Sequence, residues 1–148
     1  MTALLEAYAE KIKGGELHGD AAQAAIISHL DHLAQLLEVR EQRGTIGRFL
    51  NKNGTPKGIY IYGDVGRGKT MLMDLFFANL QVKAKQRIHF HAFMQDIHRR
   101  RQALREADVV AQIAMDIAKQ ARALCLDEMQ ISDIADAMIV GRLFQALL

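Results

Sequence analysis

Apolar positions in the first forty residues recur at helical intervals. Leu4, Leu5, Tyr8 and Ile12 fall on one stripe, and Gly14-Gly15 ends it, so the spacing predicts a first helix stopped by glycine. "DAAQ" predicts the start of a second helix. Asp20 can accept from free amide groups there, and Gln23 stands three residues on, as in a capping box. Ile26, Ile27, Leu30, Leu33 and Leu37 give that helix one face to bury. "RGTIGRFLNKNGTPKG" follows, with four glycines and the only proline, Pro56, and reads as a connection.

From Gly58 the pattern alternates. "GIYIYG" is a short β-rich run, "KTMLMDLFFANL" is helical, and "RIHFH" is β-like again. Residues from Phe93 to Gln120 read as two helical stretches broken near Glu106–Asp108. "ALCLD" reads as a third, buried strand, and "DIADAMIVGRLFQALL" as a final helix. Strands alternating with helices predict an α/β domain with a parallel sheet flanked by helices. The chain thus divides into a helical segment, 1–43, a connection, 44–57, and an α/β core, 58–148. Met71, Met73, Met115 and Met138 are expected to fill the core. Gly141, inside the last helix, is expected to mark close packing, since glycine there costs about 1 kcal/mol against alanine.

One stretch carries recognisable chemistry. Gly63, Asp64, Val65, Gly66, Arg67, Gly68, Lys69 and Thr70 match the phosphate-binding P-loop pattern in full, with a predicted strand before and a helix after. Gly63, Gly66 and Gly68 permit backbone angles that side chains forbid, so amides can approach phosphate oxygens. The helix that opens through Lys69, Thr70 and Met71 adds unpaired amides and a dipole favouring an anion. Lys69 is expected to reach the β- and γ-phosphates, and Thr70 to ligate Mg²⁺ through its hydroxyl. The carboxylate of Asp64 would repel phosphates, so its side chain is expected to point outward.

"ALCLDE" supplies the complementary groups. Asp127 and Glu128 stand at the C-terminal end of an apolar strand, the end beyond which ligands bind in parallel sheets. Asp127 suits the Mg²⁺ shell, and Glu128 suits a general base that polarises the attacking water. An acid followed directly by a base favours an additional-strand ATPase over a small GTPase or a kinase.

Composition narrows the setting. The 148 residues are 50% apolar and 24% charged, as in a globular domain. A net charge of +2 is too small to argue for a nucleic-acid or membrane partner. Cys125 is the only cysteine, which excludes an internal disulfide and fits a reducing compartment such as the cytosol. The first residues do not resemble a signal peptide, and no apolar run is long enough to span a bilayer. His89 and His91 alternate as if on one strand face, which reads as packing more than metal binding. His98, Arg101 and Arg105 would share a helical face, which reads as solvated more than as a nucleic-acid or pore contact.

With these motifs placed, "PKGIYIYGDVGRGKTMLMDLFF", "RIHFHAFMQDIH" and "LCLDEMQISDIADAMIVGRLF" together resemble the ZapE-type cell-division ATPases, the bacterial branch of the AFG-like AAA+ group. "YAEKIKGGELHGDAAQ" resembles that family's opening. The resemblance implies an Mg²⁺-dependent ATPase, working as a ring-forming or partner-bound AAA+ subunit that remodels a protein. It assigns Lys69 and Thr70 to ATP and Mg²⁺, Asp127 to Mg²⁺ and Glu128 to water activation, and ATP over GTP rests on it alone. It also implies a cytoplasmic setting, extending to the inner-membrane periphery at division sites, with FtsZ among the partners, or a role in protein quality control.

The family continues past the helix that follows the acidic pair, with a strand bearing a polar sensor, an arginine and a helical lid. The chain, apolar up to Leu148, is therefore expected to be the N-terminal part of such an ATPase, with an incomplete sheet. Two alternatives stand beside that reading. One is a nucleotide-binding adaptor without turnover, and the other is a nucleic-acid-associated AAA+ loader. If Asp64 points outward, Asp64→Asn leaves ATP affinity within about twofold in a nucleotide titration; a tenfold gain, about 1.4 kcal/mol, would place the carboxylate against the nucleotide.

Overall fold

A computed structural model describes residues 1–44, 56–64, 68–103 and 108–147. The chain divides into two compact units, Met1–Val82 and Lys83–Leu148.

Among the described residues the first unit contains three helices: α1 (Ala3–Lys13), α2 (Ala21–Gln42) and α3 (Lys69–Asn79). Local signals set their ends. Thr2 accepts from the Leu5 amide at the start of α1, and Gly14 caps its end. Asp20 accepts from the Gln23 amide at 2.7 Å, which fixes the start of α2 where the sequence predicts it. The helices pack pairwise. They bury Leu4 and Tyr8 of α1, Ile27, Leu30 and Ala34 of α2, and Leu72, Leu75 and Phe76 of α3. Asp31 is buried in α2, where its carboxylate accepts from the Thr2 hydroxyl and, at 2.7 Å, from the Gln35 amide. Those two donors compensate the burial of its charge. Glu38 of α2 accepts from the Gln81 amide at 2.8 Å, tying the segment after α3 back to α2.

Residues 56–62 run along α2 without pairing into a sheet. With Ile26, Leu33, Leu36 and Val39 they line an open groove of about 1110 Å³. The strand expected at "GIYIYG" is therefore not formed. Alternating β-branched and aromatic residues favour a strand only when a neighbour completes the ladder, and among the described residues none does. Tyr60 and Tyr62 instead stack on each other, with ring centroids 6.1 Å apart, and both are largely exposed.

The second unit holds β1 (Lys85–His89), α4 (Phe90–Ala103), α5 (Val109–Gln120), β2 (Ala123–Asp127) and α6 (Ile134–Leu147). The two strands pair in parallel, from Lys85 opposite Ala123 to His89 opposite Asp127. A parallel pair needs a long crossover, here supplied by α4 and α5. Asp108 begins α5 by accepting from the Ala111 amide, so the helical pattern breaks where expected, although 104–107 lie outside the described residues. The core joins Phe90, Phe93, Met94 and Ile97 of α4 to Val110, Ile113 and Ala114 of α5 and Ile139, Val140 and Leu143 of α6. Ile88, Leu124 and Leu126 pack against it from the strands.

Three packing expectations are corrected. Met115 and Met138 are exposed, because both lie on helix faces turned from this core; Met71 and Met73 are half-buried. β1 ends at His89 and α4 begins at Phe90, so His91 lies on a helix and the two histidines share no strand face. Gly141 is exposed, and a Cβ built on it meets nothing within 4 Å, so its neighbours do not demand glycine. Gly141→Ala is accordingly expected to raise stability by about 0.5–1 kcal/mol, through a stiffer unfolded chain and better helix propensity. Urea denaturation checks this, and a loss of stability would show the space is needed.

Candidate functional site

The glycine-rich loop lies in the first unit and the acidic pair in the second. Of the nine loop residues singled out from the sequence, Gly63, Asp64, Gly68, Lys69, Thr70 and Met71 are described; Val65, Gly66 and Arg67 lie outside the described residues.

The start of α3 differs from those of its neighbours. Thr2, Asp20 and Asp108 cap α1, α2 and α5 with side-chain oxygens. α3 opens on Gly68, in the left-handed region at φ 78°, with no side-chain cap. The first amides of α3 are thus left to whatever acceptor comes to them, and the helix dipole makes that acceptor an anion. Glycine is required at 68 on two counts. The backbone angle is strained for an L side chain, and an added Cβ would lie 3.2 Å from the Gln23 side-chain nitrogen of α2. Gly63, at φ 146°, also uses glycine's freedom.

Lys69 reaches back over this loop. Its ammonium donates to the Gly63 and Asp64 carbonyl oxygens, both at 2.7 Å. Asp64 and Thr70 are exposed, and Met71 is half-buried against the Gly68 position. A lysine ammonium, uncapped helix amides and a free-standing threonine hydroxyl form a donor set for a polyphosphate with an oxygen-seeking cation.

The acidic pair sits at the carboxyl end of β2. Alternation along the strand turns Leu124 and Leu126 to the helical core and puts Ala123, Cys125 and Asp127 on the other face, all three buried. Asp127 is only 9% exposed. Its carboxylate accepts from Arg87 of β1 twice, Nε to Oδ2 at 2.6 Å and Nη2 to Oδ1 at 3.3 Å. Cys125 stands opposite Arg87 across the ladder. Burial pushes the Cys125 thiol up, the Arg87 guanidinium pulls it down, Asp127 raises it and Lys85 lowers it. Burial prevails, so the thiol stays protonated and unreactive at neutral pH.

Glu128 breaks the strand. Its φ is 53°, the only positive φ at a non-glycine residue among the described residues. The left-handed turn sets its exposed side chain in a different direction from buried Asp127, so adjacent acids occupy different environments. Held strain of this kind costs about 1–3 kcal/mol and clusters at functional positions. Thr70 in the first unit and Asp127 in the second each offer oxygen donors, the kind of which Mg²⁺ takes one or two beside phosphates. No group of three or more His, Cys, Asp or Glu able to hold a metal occurs among the described residues, and such a shell does not require one.

Reading the sequence alone misses Arg87. The signal was within reach: "RIHFH" begins with it, and pairing that run in parallel with "ALCLD" puts it diagonal to Asp127. Part of the basic cluster is paired locally. Asp96 pairs with Arg99 and Arg100, each at 2.8 Å, and His98 contacts Asp136 at 2.8 Å. Arg101 is exposed, and Arg105 lies outside the described residues.

The strain at Glu128 can be measured directly. Glu128→Gly is expected to raise stability by about 1 kcal/mol, since glycine adopts this angle freely, whereas Glu128→Ala gains nothing. Equal effects of the two variants in chemical denaturation would show that the turn stores no strain.

Comparison with known proteins places the chain in a family. The model of the AFG1-like ATPases matches residues 2–148. An uncharacterized protein of Schizosaccharomyces pombe, C115.02c, is 46% identical over 135 residues, covering 86% of this chain and 30% of the relative. Lactation elevated protein 1 homolog B of Danio rerio is 44% identical over 109 residues, covering 66% of this chain and 22% of the relative. Cell division protein ZapE of Escherichia coli K12 is 45% identical over 97 residues, covering 65% of this chain and 26% of the relative. The chain therefore spans less than a third of the length of each of these relatives. No solved structure matches it. With a glycine-opened helix, a lysine folded over the loop before it, and a family match along nearly its whole length, this chain belongs to the AFG1-like ATPase family.

Proposed function

We propose that this chain carries the nucleotide-binding part of an Mg²⁺-dependent AAA+ ATPase that couples ATP hydrolysis to remodelling of a protein partner. The observation that carries the reading is the left-handed turn at Glu128, directly after a buried aspartate at the carboxyl end of a parallel strand. Strained backbone under an exposed side chain clusters at functional positions, and a base aimed at water is a use for it here.

The residues divide the work. Gly63 to Met71 form the phosphate cradle, in which the uncapped amides of α3 and the Lys69 ammonium bind the β- and γ-phosphates. Lys69 would exchange the Gly63 and Asp64 carbonyl oxygens for phosphate oxygens. Thr70 and Asp127 would hold Mg²⁺, whose chemistry is to neutralise charge on the phosphates. Glu128 would orient the attacking water and take its proton.

Residues 58–148 then belong to a P-loop core of AAA+ type, preceded by the helical segment 1–43, and the protein acts as a subunit of a homo-oligomeric ring. A relative named for cell division supports a partner in the division machinery, and a cytoplasmic setting near division sites goes with that proposal. No described helix is long and apolar enough to cross a membrane.

Glu128→Gln in the full-length protein is expected to bind ATP as tightly as wild type and to lose turnover by at least about a hundredfold, the usual scale for a missing general base. Equilibrium nucleotide binding and phosphate release measure the two. Turnover within threefold of wild type would remove Glu128 from the mechanism.

A further inference from the structure

Arg87 and Asp127 form a side-on fork between neighbouring strands, forty residues apart in sequence. The register puts Arg87 opposite Cys125, so Asp127 lies on the same face two residues further along. A long side chain reaches such a diagonal neighbour. Both carboxylate oxygens carry a guanidinium N–H, at 2.6 and 3.3 Å. The carboxylate is nearly buried, and the arginine side chain is 24% exposed.

A buried carboxylate needs a compensating cation, and a planar guanidinium satisfies both oxygens at once. A hard divalent cation seeks those same oxygens, directly or through its waters. The fixed positive charge of arginine cannot be shed by deprotonation, so two cations sharing the carboxylate repel each other. Loading the metal must therefore loosen the fork, and the strength of the fork enters the metal affinity.

We propose that Arg87 is a positioning residue that holds Asp127 charge-compensated in the metal-free protein and competes with Mg²⁺ for its carboxylate, setting the Mg²⁺ concentration at which the nucleotide site loads. This rests on the reading of Asp127 as the Mg²⁺ ligand. It gives the second unit a settled metal-free state, in which the acid is aimed and neutral in sum before any ligand arrives.

The test uses the full-length protein with a fluorescent N-methylanthraniloyl ATP as probe and MgCl₂ as titrant. Arg87→Gln keeps an N–H donor and removes the charge. It is expected to lower the half-saturating Mg²⁺ concentration about three- to tenfold, the range for one partly buried ion pair. Arg87→Lys keeps the charge without the fork and is expected to lower it less; should Arg87→Gln fail to fold, the lysine variant decides alone. Melting in EDTA provides a second readout: Arg87→Gln lowers the midpoint in the wild-type background and hardly at all beside Asp127→Asn. An unchanged or raised Mg²⁺ requirement in the folded variants overturns the proposal, as does a full melting loss beside Asp127→Asn. If wild type shows no Mg²⁺-dependent binding of the probe, the ATPase reading fails with it; if wild type binds and the variants do not shift, only the competition fails.

Discussion

Parallel pairing of two five-residue strands governs the chemistry of the second unit. Five rungs suffice to put Arg87 diagonal to Asp127, and a slip of one residue would turn every side chain of β2 to the opposite face. Leu124 and Leu126 resist that slip, because their packing against the helical core would be exchanged for a buried aspartate in an apolar setting. Hydrophobic packing on one face of β2 thus holds a charged constellation on the other.

The first unit meets a related constraint differently. Asp20 satisfies orphan amides at the start of α2, so that helix is complete in itself. α3 is incomplete by construction: Gly68 provides the turn and no cap, and Gln23 of α2 closes the space in which a side chain might have grown. Lys69 returns to the carbonyl oxygens of Gly63 and Asp64. An anion arriving there would find amides and an ammonium without having to displace a side-chain cap.

Glu128 shows how two adjacent acids come to different surroundings. Strand geometry alone would set residues 127 and 128 on opposite faces of the sheet. The left-handed turn ends the strand at Asp127 and leaves Glu128 exposed. The aspartate is consequently held by an arginine in a buried setting, and the glutamate side chain stands in solvent.

Much of this was legible in the residues. The helix start at Asp20, the stop at Gly14 and the break near Asp108 follow from interactions that span three or four positions, which the order of residues contains in full. The family resemblance was legible for the same reason, since motif spacing is a property of the chain. Tertiary structure alone decided the rest. Whether "GIYIYG" becomes a strand depends on a ladder partner elsewhere. The exposure of Met115 and Met138 depends on which face of each helix meets the core, and the open space at Gly141 on what does not pack there. The Arg87–Asp127 fork depends on register between segments forty residues apart, and no local preference encodes a register: it emerges only when the apolar face of β2 finds its helices.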